Sequence, residues 1–145
     1  MLDENVYIFA LESEGKTDDE HLTAARFVDC LQKRHKWVLT PDVVNAYRRQ
    51  FGRGRFEGAL ASEFMNGLED ILFSDRCIWF HRPSVVANGY DENDIHVVAA
   101  AAASAPSVLV TTDGRLARQL AEKAIPENHG FKVMSPPEAL RELCG

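Results

Sequence analysis

The chain has 145 residues, of which 46% are hydrophobic and 26% charged, with a formal net charge of −6 at pH 7. This composition is ordinary for a soluble globular protein and excludes a disordered chain, and the length predicts a single domain over residues 1–145. The longest apolar run, Val97–Ala103, is far shorter than the ~20 residues of a membrane-spanning helix, and the start of the chain lacks the basic flank of a signal peptide. We therefore expect a cytoplasmic protein with no membrane partner.

The first half of the chain alternates helix and strand signals. The segment Thr17-Asp18-Asp19-Glu20 predicts a capping box that opens a helix ending near His35. The residues KWVLT then predict a short strand, after which Thr40 caps a second helix that begins at Pro41 and stops at Gly52. A third helix is predicted from apolar residues on one face, namely Phe56, Leu60, Phe64, Leu68 and Leu72.

The second half repeats the alternation. A strand, CIWF, precedes an alanine-rich helix from Asp91 to Ser104. The strand SVLVT, a helix from Gly114, the strand GFKVM and a final helix capped by Ser135 follow. Short apolar strands that alternate with helices indicate a parallel sheet covered on both faces. The predicted fold class is α/β, a three-layer α/β/α sandwich with a central, mainly parallel sheet of about five strands.

Three cysteines, Cys30, Cys77 and Cys144, are scattered along the chain. Their number is odd and no CxxC or Cys/His spacing is present, so the pattern indicates neither a disulfide framework nor a zinc site. We expect them to be packing residues.

Acidic residues occur where a parallel sheet places its ligands. Asp113 directly follows the strand-like VLVTT, Asp3 does the same if MLD is a strand, and Asp94 lies in the first turn of the alanine-rich helix. Ligands of open parallel sheets bind at the carboxyl ends of the strands. Each acid also has a plain structural explanation, since Asp94 and Asp113 can cap helices and Asp3 can be a surface residue.

The blocks LDENVYIFAL, DENDIHVVAAAAA and VLVTTDGRL resemble, in order and spacing, the signature blocks of the PIN-domain family. The resemblance covers most of the chain and implies the same sandwich. It also implies that residues 5–11 begin a helix, although VYIFAL reads as strand by propensity. The implied site holds Mg²⁺ or Mn²⁺ through three catalytic carboxylates with two polar supports. These residues are Asp3, Asp94 and Asp113, supported by Asn5 and Thr111.

One position departs from the family pattern. The family has a Glu in the helix after the second strand, within Pro-x-Val-x-x-Glu, whereas PDVVNAYRR has Ala46 there. Asp42 lies four residues earlier on the same helical face and is the candidate substitute metal ligand. Glu92 and Glu57 are weaker substitutes. The departure leaves open whether the site is active.

Positive charge is concentrated in residues 32–56, which hold seven lysine and arginine residues against one acid and so carry +6, while the rest of the chain carries −12. Because salt screens charges beyond ~10 Å, such a segment can bind phosphates even on an acidic protein. The alternative is a solvated helix face. With the resemblance, the segment YRRQFGRGR becomes an RNA-binding surface formed by Arg48, Arg49, Arg53 and Arg55.

The resemblance implies a metal-dependent endoribonuclease that hydrolyses RNA phosphodiesters. It further implies the toxin component of a toxin-antitoxin pair, a homodimer silenced by a small antitoxin protein. A second hypothesis is a catalytically degenerate PIN-like domain that binds RNA or a protein. A third, an unrelated sandwich such as a phospho-receiver domain, is disfavoured because its acid pair, phosphorylated Asp and strand-end Lys cannot be placed on this sequence.

Overall fold

The protein is a mixed α/β structure, mostly helical, in a computed structural model that describes residues 1–13, 15–52, 66–70, 77–79 and 92–145. None of the helices in these ranges is long and apolar enough to cross a membrane. In chain order the elements are α1 (Glu4–Leu11), α2 (Asp19–Arg34), β1 (Trp37–Leu39), α3 (Pro41–Gly52), α4 (described over 66–70), β2 (Cys77–Trp79), α5 (Glu92–Ala103), β3 (Ser107–Val110), α6 (Gly114–Glu122), α7 (Ile125–His129), β4 (Phe131–Met134) and α8 (Pro136–Cys144).

The strand-like run near the start of the chain is a helix, which confirms the prediction for residues 5–11. In α1 the consecutive residues Val6, Tyr7 and Ile8 are all buried, and the helix packs against both α2 and α3. A helix covered on several sides carries apolar residues all round. Burial on more than one face therefore explains a sequence that propensity alone assigns to a strand.

Helix α2 begins one residue later than predicted, because Asp18 and not Thr17 is its N-cap. The Asp18 carboxylate accepts a hydrogen bond from the His21 N–H at 3.1 Å. Hydrogen bonds from the His21 side chain and backbone hold the pKa of Asp18 below its usual value. The predicted end near His35 is confirmed, since His35 is the C-cap.

Most other predicted elements are confirmed. Thr40 caps α3 through a 3.2 Å bond from the Val43 N–H to its hydroxyl oxygen, and Ser135 opens α8 in a capping box with Glu138. The third predicted helix is described only over 66–70, where Leu68 is buried. Its other predicted face residues lie outside the described ranges: Phe56, Leu60, Phe64 and Leu72. The five-residue α7 was not predicted, because it is too short to show helical periodicity.

The strands pair in parallel, β1 with β2 and β3 with β4, and Leu2 forms an isolated parallel bridge with Val110. The Val110 N–H donates to the Met1 carbonyl and its carbonyl accepts from Asp3, whereas the Thr111 N–H donates to Met134. Adjacent strand residues direct these groups to opposite sides, so residues 1–3 and β4 flank β3. The predicted single sheet of about five strands is not seen in the described ranges, which hold two two-stranded sheets and this bridge.

The starts of three extended segments meet at one end of the molecule. A cavity of about 280 Å³ is lined by the first residues of the chain and by the beginnings of β1 and β3, including Met1, Trp37 and Ser107. Residues 1–3 run parallel to β3 through the Leu2–Val110 bridge, so the residues that follow Leu2 and Val110 lie together at the other end of β3. We call that end the carboxyl edge.

A disulfide bond between Cys30 and Cys144 shows that the prediction of three packing cysteines is wrong for this pair. The bond joins α2 to the last residue of α8 across 114 positions of sequence. Neither residue has a spacing motif, because their proximity arises only when α2 and α8 pack together.

Candidate functional site

Four polar or charged residues are buried in the described part of the chain: Asp3, Thr40, His96 and Thr111. Asp3 and Thr111 directly follow Leu2 and β3 and lie at the carboxyl edge, whereas Thr40 directly follows β1 and His96 belongs to α5. Burying a polar group costs free energy unless a partner compensates. The carboxyl edge therefore carries a cost that nearby hydrogen-bond partners or a ligand must offset.

Thr111 connects the two predicted acids that follow strands. Its hydroxyl donates to Asp3 Oδ2 at 2.6 Å, and its oxygen accepts from the Asp113 N–H at 3.0 Å. Asp3 and Thr111 are only 6% and 3% exposed, so this arrangement is shielded from water. The structure thus brings Asp3, Thr111 and Asp113 together at one edge.

Asp113 is also the N-cap of α6. Its Oδ1 accepts from the backbone N–H groups of Arg115 and Leu116 at 3.0 and 3.1 Å. The helix cap that the sequence offered as the structural explanation of Asp113 is therefore present. The cap uses Oδ1 alone, and Oδ2 takes no part in it.

The backbone of Asp94 lies in the first turn of α5. Helix α5 packs against β3 and reaches it through residues 104–106, so the two elements run in opposite directions. Twelve helical residues span about 18 Å and four strand residues about 13 Å, which places the first turn of α5 near the carboxyl edge. The side chains of Asp94 and Asn5 lie outside the described part of the structure, as does that of Glu92.

The position that departs from the family pattern is buried. Ala46 belongs to α3 and is only 4% exposed. The next residue, Tyr47, donates a hydrogen bond from its hydroxyl to the carbonyl of Leu2, the residue before Asp3. Asp42, the candidate substitute, is exposed in the first turn of α3. That turn directly follows Thr40 and β1, whereas Glu57 lies outside the described ranges.

The predicted RNA-binding arginines are partly described. Arg48 and Arg49 are exposed near the end of α3, and Arg53 and Arg55 fall outside the described ranges. Arg48 lies about 10 Å along the helix axis from Pro41. Arg48 is therefore well separated along α3 from its first turn, where Asp42 lies.

Two further residues have no predicted role in the site. His96 is buried, with 7% exposure, in the second turn of α5. Arg115 is exposed at the N-terminus of α6, two residues after Asp113. Its only sequence signal is its position two residues after Asp113.

The described donor atoms at the carboxyl edge are carboxylate and hydroxyl oxygens. Hard divalent cations such as Mg²⁺ and Mn²⁺ prefer such ligands, and Mg²⁺ commonly takes only one or two protein carboxylates. Comparison of the chain with protein-family models, curated proteins and solved structures returned no match. The chemistry of the site is therefore inferred from its donor atoms and their placement.

We expect Thr111→Val to lower both stability and any metal-dependent activity. The substitution keeps the shape of the side chain but removes the donor to Asp3 and the acceptor for the Asp113 N–H, which costs about 1–3 kcal/mol for a buried group. Urea unfolding measures the change. Thr112→Val is the matched control, because the neighbouring threonine is half-buried and lies outside the Asp3–Asp113 connection. Equal losses in both variants would contradict a special role for Thr111.

Proposed function

We propose that this protein is a metal-dependent endoribonuclease with a PIN-like three-layer α/β/α sandwich. The observation that carries the proposal is the buried Asp3 carboxylate, fixed by Thr111 and placed with Asp113 at the carboxyl edge. This is where ligands of parallel sheets bind. The first turn of α5, with Asp94, completes the proposed set of three catalytic and metal-binding acids.

The donor set fits Mg²⁺ or Mn²⁺. A bound ion of this kind would lower the pKa of a coordinated water and neutralise negative charge on the leaving oxygen of a phosphodiester. Asp3 provides a carboxylate whose rotation is restricted by Thr111, and Asp113 offers Oδ2 while Oδ1 remains in the helix cap. The rigidity of both groups stabilises one arrangement of oxygens, which is what a small cation with strict geometry requires.

RNA is held, in this proposal, by exposed arginines on α3 and α6. Arg48 and Arg49 bind phosphates away from the cleaved bond, and Arg115 binds closer to it. Such contacts position the strand and do not choose its sequence. Arg53 and Arg55 extend the same surface in sequence, and Asp42 serves as the substitute for the Glu that Ala46 replaces.

The replacement of Arg48 and Arg49 by alanine tests the RNA surface. We expect the double variant to weaken RNA binding for all sequences. The slope of log affinity against log salt should fall by about 0.7 for each single-strand phosphate that the variant no longer binds. Gel shifts over a salt series measure both quantities. Arg26→Ala with Arg141→Ala is a charge-matched control, because both residues are exposed on α2 and α8. If the control pair has the same effect, the binding surface lies elsewhere.

The toxin-type proposal adds two protein partners, a second copy of the chain and a small antitoxin. Light scattering coupled to size exclusion tests the homodimer at micromolar concentration. A monomer that still cleaves RNA would separate the activity from this assembly, and the dimer proposal would be withdrawn.

A degenerate PIN-like domain is the second candidate, favoured by two observations. Ala46 is buried where the family has its acidic residue, and Asp113 is engaged as a helix cap. An RNA-binding or protein-interaction module would retain the arginine surface and lose the chemistry. RNA binding that depends on Arg48 and Arg49, with no cleavage in Mn²⁺ or Mg²⁺, is the result that selects this candidate.

A further inference from the structure

Three metal-binding side chains meet where α2 and α8 end. One ligand atom each from Cys30, His35 and Cys144 lies within 4.8 Å of the other two. His35 and Cys144 are half-buried and Cys30 is 9% exposed, so the cluster is shielded but reachable. It is remote in sequence from the proposed acid site and contains sulfur and nitrogen donors in place of oxygen.

The hydrogen bonding of His35 prepares its ring to bind a cation. One ring nitrogen, Nε2, lies 2.9 Å from the Leu143 carbonyl oxygen. A carbonyl can only accept, so Nε2 carries the hydrogen, and the lone pair of the neutral ring is on Nδ1. A metal-binding histidine commonly donates its other N–H to a backbone carbonyl in this way, which fixes both tautomer and ring orientation.

The surrounding backbone also favours positive charge. His35 is the C-cap of the 16-residue helix α2, and Cys144 is the last residue of α8. The carbonyl ends of two helices therefore converge on the cluster, and each carries partial negative charge. A cation placed there interacts favourably with both.

The distances suit zinc once the two sulfurs are thiolates. With Zn–S bonds of about 2.3 Å and Zn–N bonds of about 2.0–2.1 Å, tetrahedral ligands lie about 3.5–3.8 Å apart. The His35 donor lies within 4.8 Å of both sulfurs. The sulfurs themselves are at bonding distance in the disulfide, so they reach the zinc spacing only after reduction, when both cysteine side chains rotate about Cα–Cβ bonds whose Cα atoms are 6.1 Å apart.

We propose that Cys30, His35 and Cys144 form a redox-controlled Zn²⁺ site that, when reduced, holds the end of α8 against α2. A dithiol reductant delivers two electrons and two protons to the disulfide and itself becomes a disulfide. Zn²⁺ then binds the two thiolates and Nδ1 of His35, releasing the two thiol protons, and water takes the fourth position. A disulfide oxidant reverses the step: the two thiolates transfer two electrons to it and form the Cys30–Cys144 bond, Zn²⁺ is released, and the oxidant takes up two protons to become a dithiol. One connection between α2 and α8 is therefore kept in both redox states.

The test uses the full chain reduced with a phosphine, which consumes one water and becomes a phosphine oxide, and Co²⁺ as the probe. We expect one Co²⁺ per chain with sulfur-to-metal charge-transfer absorption and the visible bands of a tetrahedral ion, all removed by Zn²⁺. The oxidised chain should show none of these bands. Binding of Co²⁺ by oxygens at the proposed acid site gives no sulfur charge transfer, and Asp3→Asn should leave the bands unchanged.

Two measurements on the site keep the proposal falsifiable. His35→Ala preserves both sulfurs and should weaken Zn²⁺ binding at least about tenfold, since loss of even an outer partner of a zinc ligand costs 10–100-fold. His129→Ala, an exposed histidine on α7, is the control. In the unmodified reduced chain, Zn²⁺ should protect two of the three thiols from alkylation. No charge-transfer band, equal binding by His35→Ala, or three reactive thiols in Zn²⁺ would each overturn the site.

Discussion

Asp3→Asn is expected to lower the rate of Mn²⁺-dependent RNA cleavage at least about 100-fold, while the affinity for RNA stays equal or increases. The amide keeps the size of the side chain and still accepts from the Thr111 hydroxyl through its oxygen. It removes the charge that a divalent cation requires and the repulsion that a phosphate experiences. Cleavage of a labelled RNA and gel shifts in the same buffer measure the two effects separately.

The control for this variant is Asp29→Asn, which removes one exposed acid paired with Lys33 on α2. It should cleave RNA at the unmodified rate. Cleavage by Asp3→Asn at more than a tenth of the unmodified rate would show that Asp3 is a structural residue, and that the buried carboxylate serves the fold through Thr111 alone.

Reduction of the Cys30–Cys144 disulfide is expected to lower the free energy of unfolding by about 4–5 kcal/mol when Zn²⁺ is absent. The bond closes a loop of more than a hundred residues, and loop-closure entropy in the unfolded chain gives about 4.7 kcal/mol for a loop of about 100 residues. Urea unfolding with and without a phosphine reductant measures the difference. Zinc added to the reduced chain should recover part of the lost stability.

The matched control is the double variant Cys30→Ala with Cys144→Ala, whose stability should not respond to the reductant or to Zn²⁺. A loss below about 1 kcal/mol on reduction of the unmodified chain would contradict the expected constraint. It would mean that residual structure in the reduced unfolded chain already restricts it about as much as the bond does.

Local signals in the sequence were sufficient for most elements. The start of a helix is encoded within four residues by Thr40 with Pro41 and by Ser135 with Glu138. Both helices, α3 and α8, begin at these positions. The start of α2 was displaced by one residue because Asp18 is an equally good cap next to Thr17. Local chemistry allowed both, and the hydrogen bond to His21 selected Asp18.

Features that depend on tertiary packing were harder to predict. Helix α1 is apolar all round because it is buried on more than one face, and only the family resemblance indicated a helix. The pairing of Cys30 with Cys144 has no local signal, since the two residues meet through the packing of α2 and α8. The pairing of the described strands, β1 with β2 and β3 with β4, also depends on long-range contacts that periodicity does not contain.

The candidate site was predictable in part for a physical reason. Parallel strands end at a common edge, so Asp3 and Asp113 could be placed near each other from their positions after apolar runs. The role of Thr111 as the hydroxyl between them needed coordinates, because it depends on the 2.6 and 3.0 Å distances to Asp3 and to the Asp113 N–H. The burial of His96 and the exposure of Arg115 likewise follow from packing.

The most direct measurement of the proposed metal site is anomalous diffraction from crystals of the full chain soaked in Mn²⁺. The site predicts a Mn²⁺ peak at the carboxyl edge, bonded to a carboxylate oxygen of Asp3 and to Oδ2 of Asp113 at about 2.1 Å, the distance typical of small divalent cations. The same soak of Asp3→Asn crystals should show no peak there. A Mn²⁺ ion bound only elsewhere, or an edge without Mn²⁺ at saturating concentration, would contradict a metal-dependent nuclease.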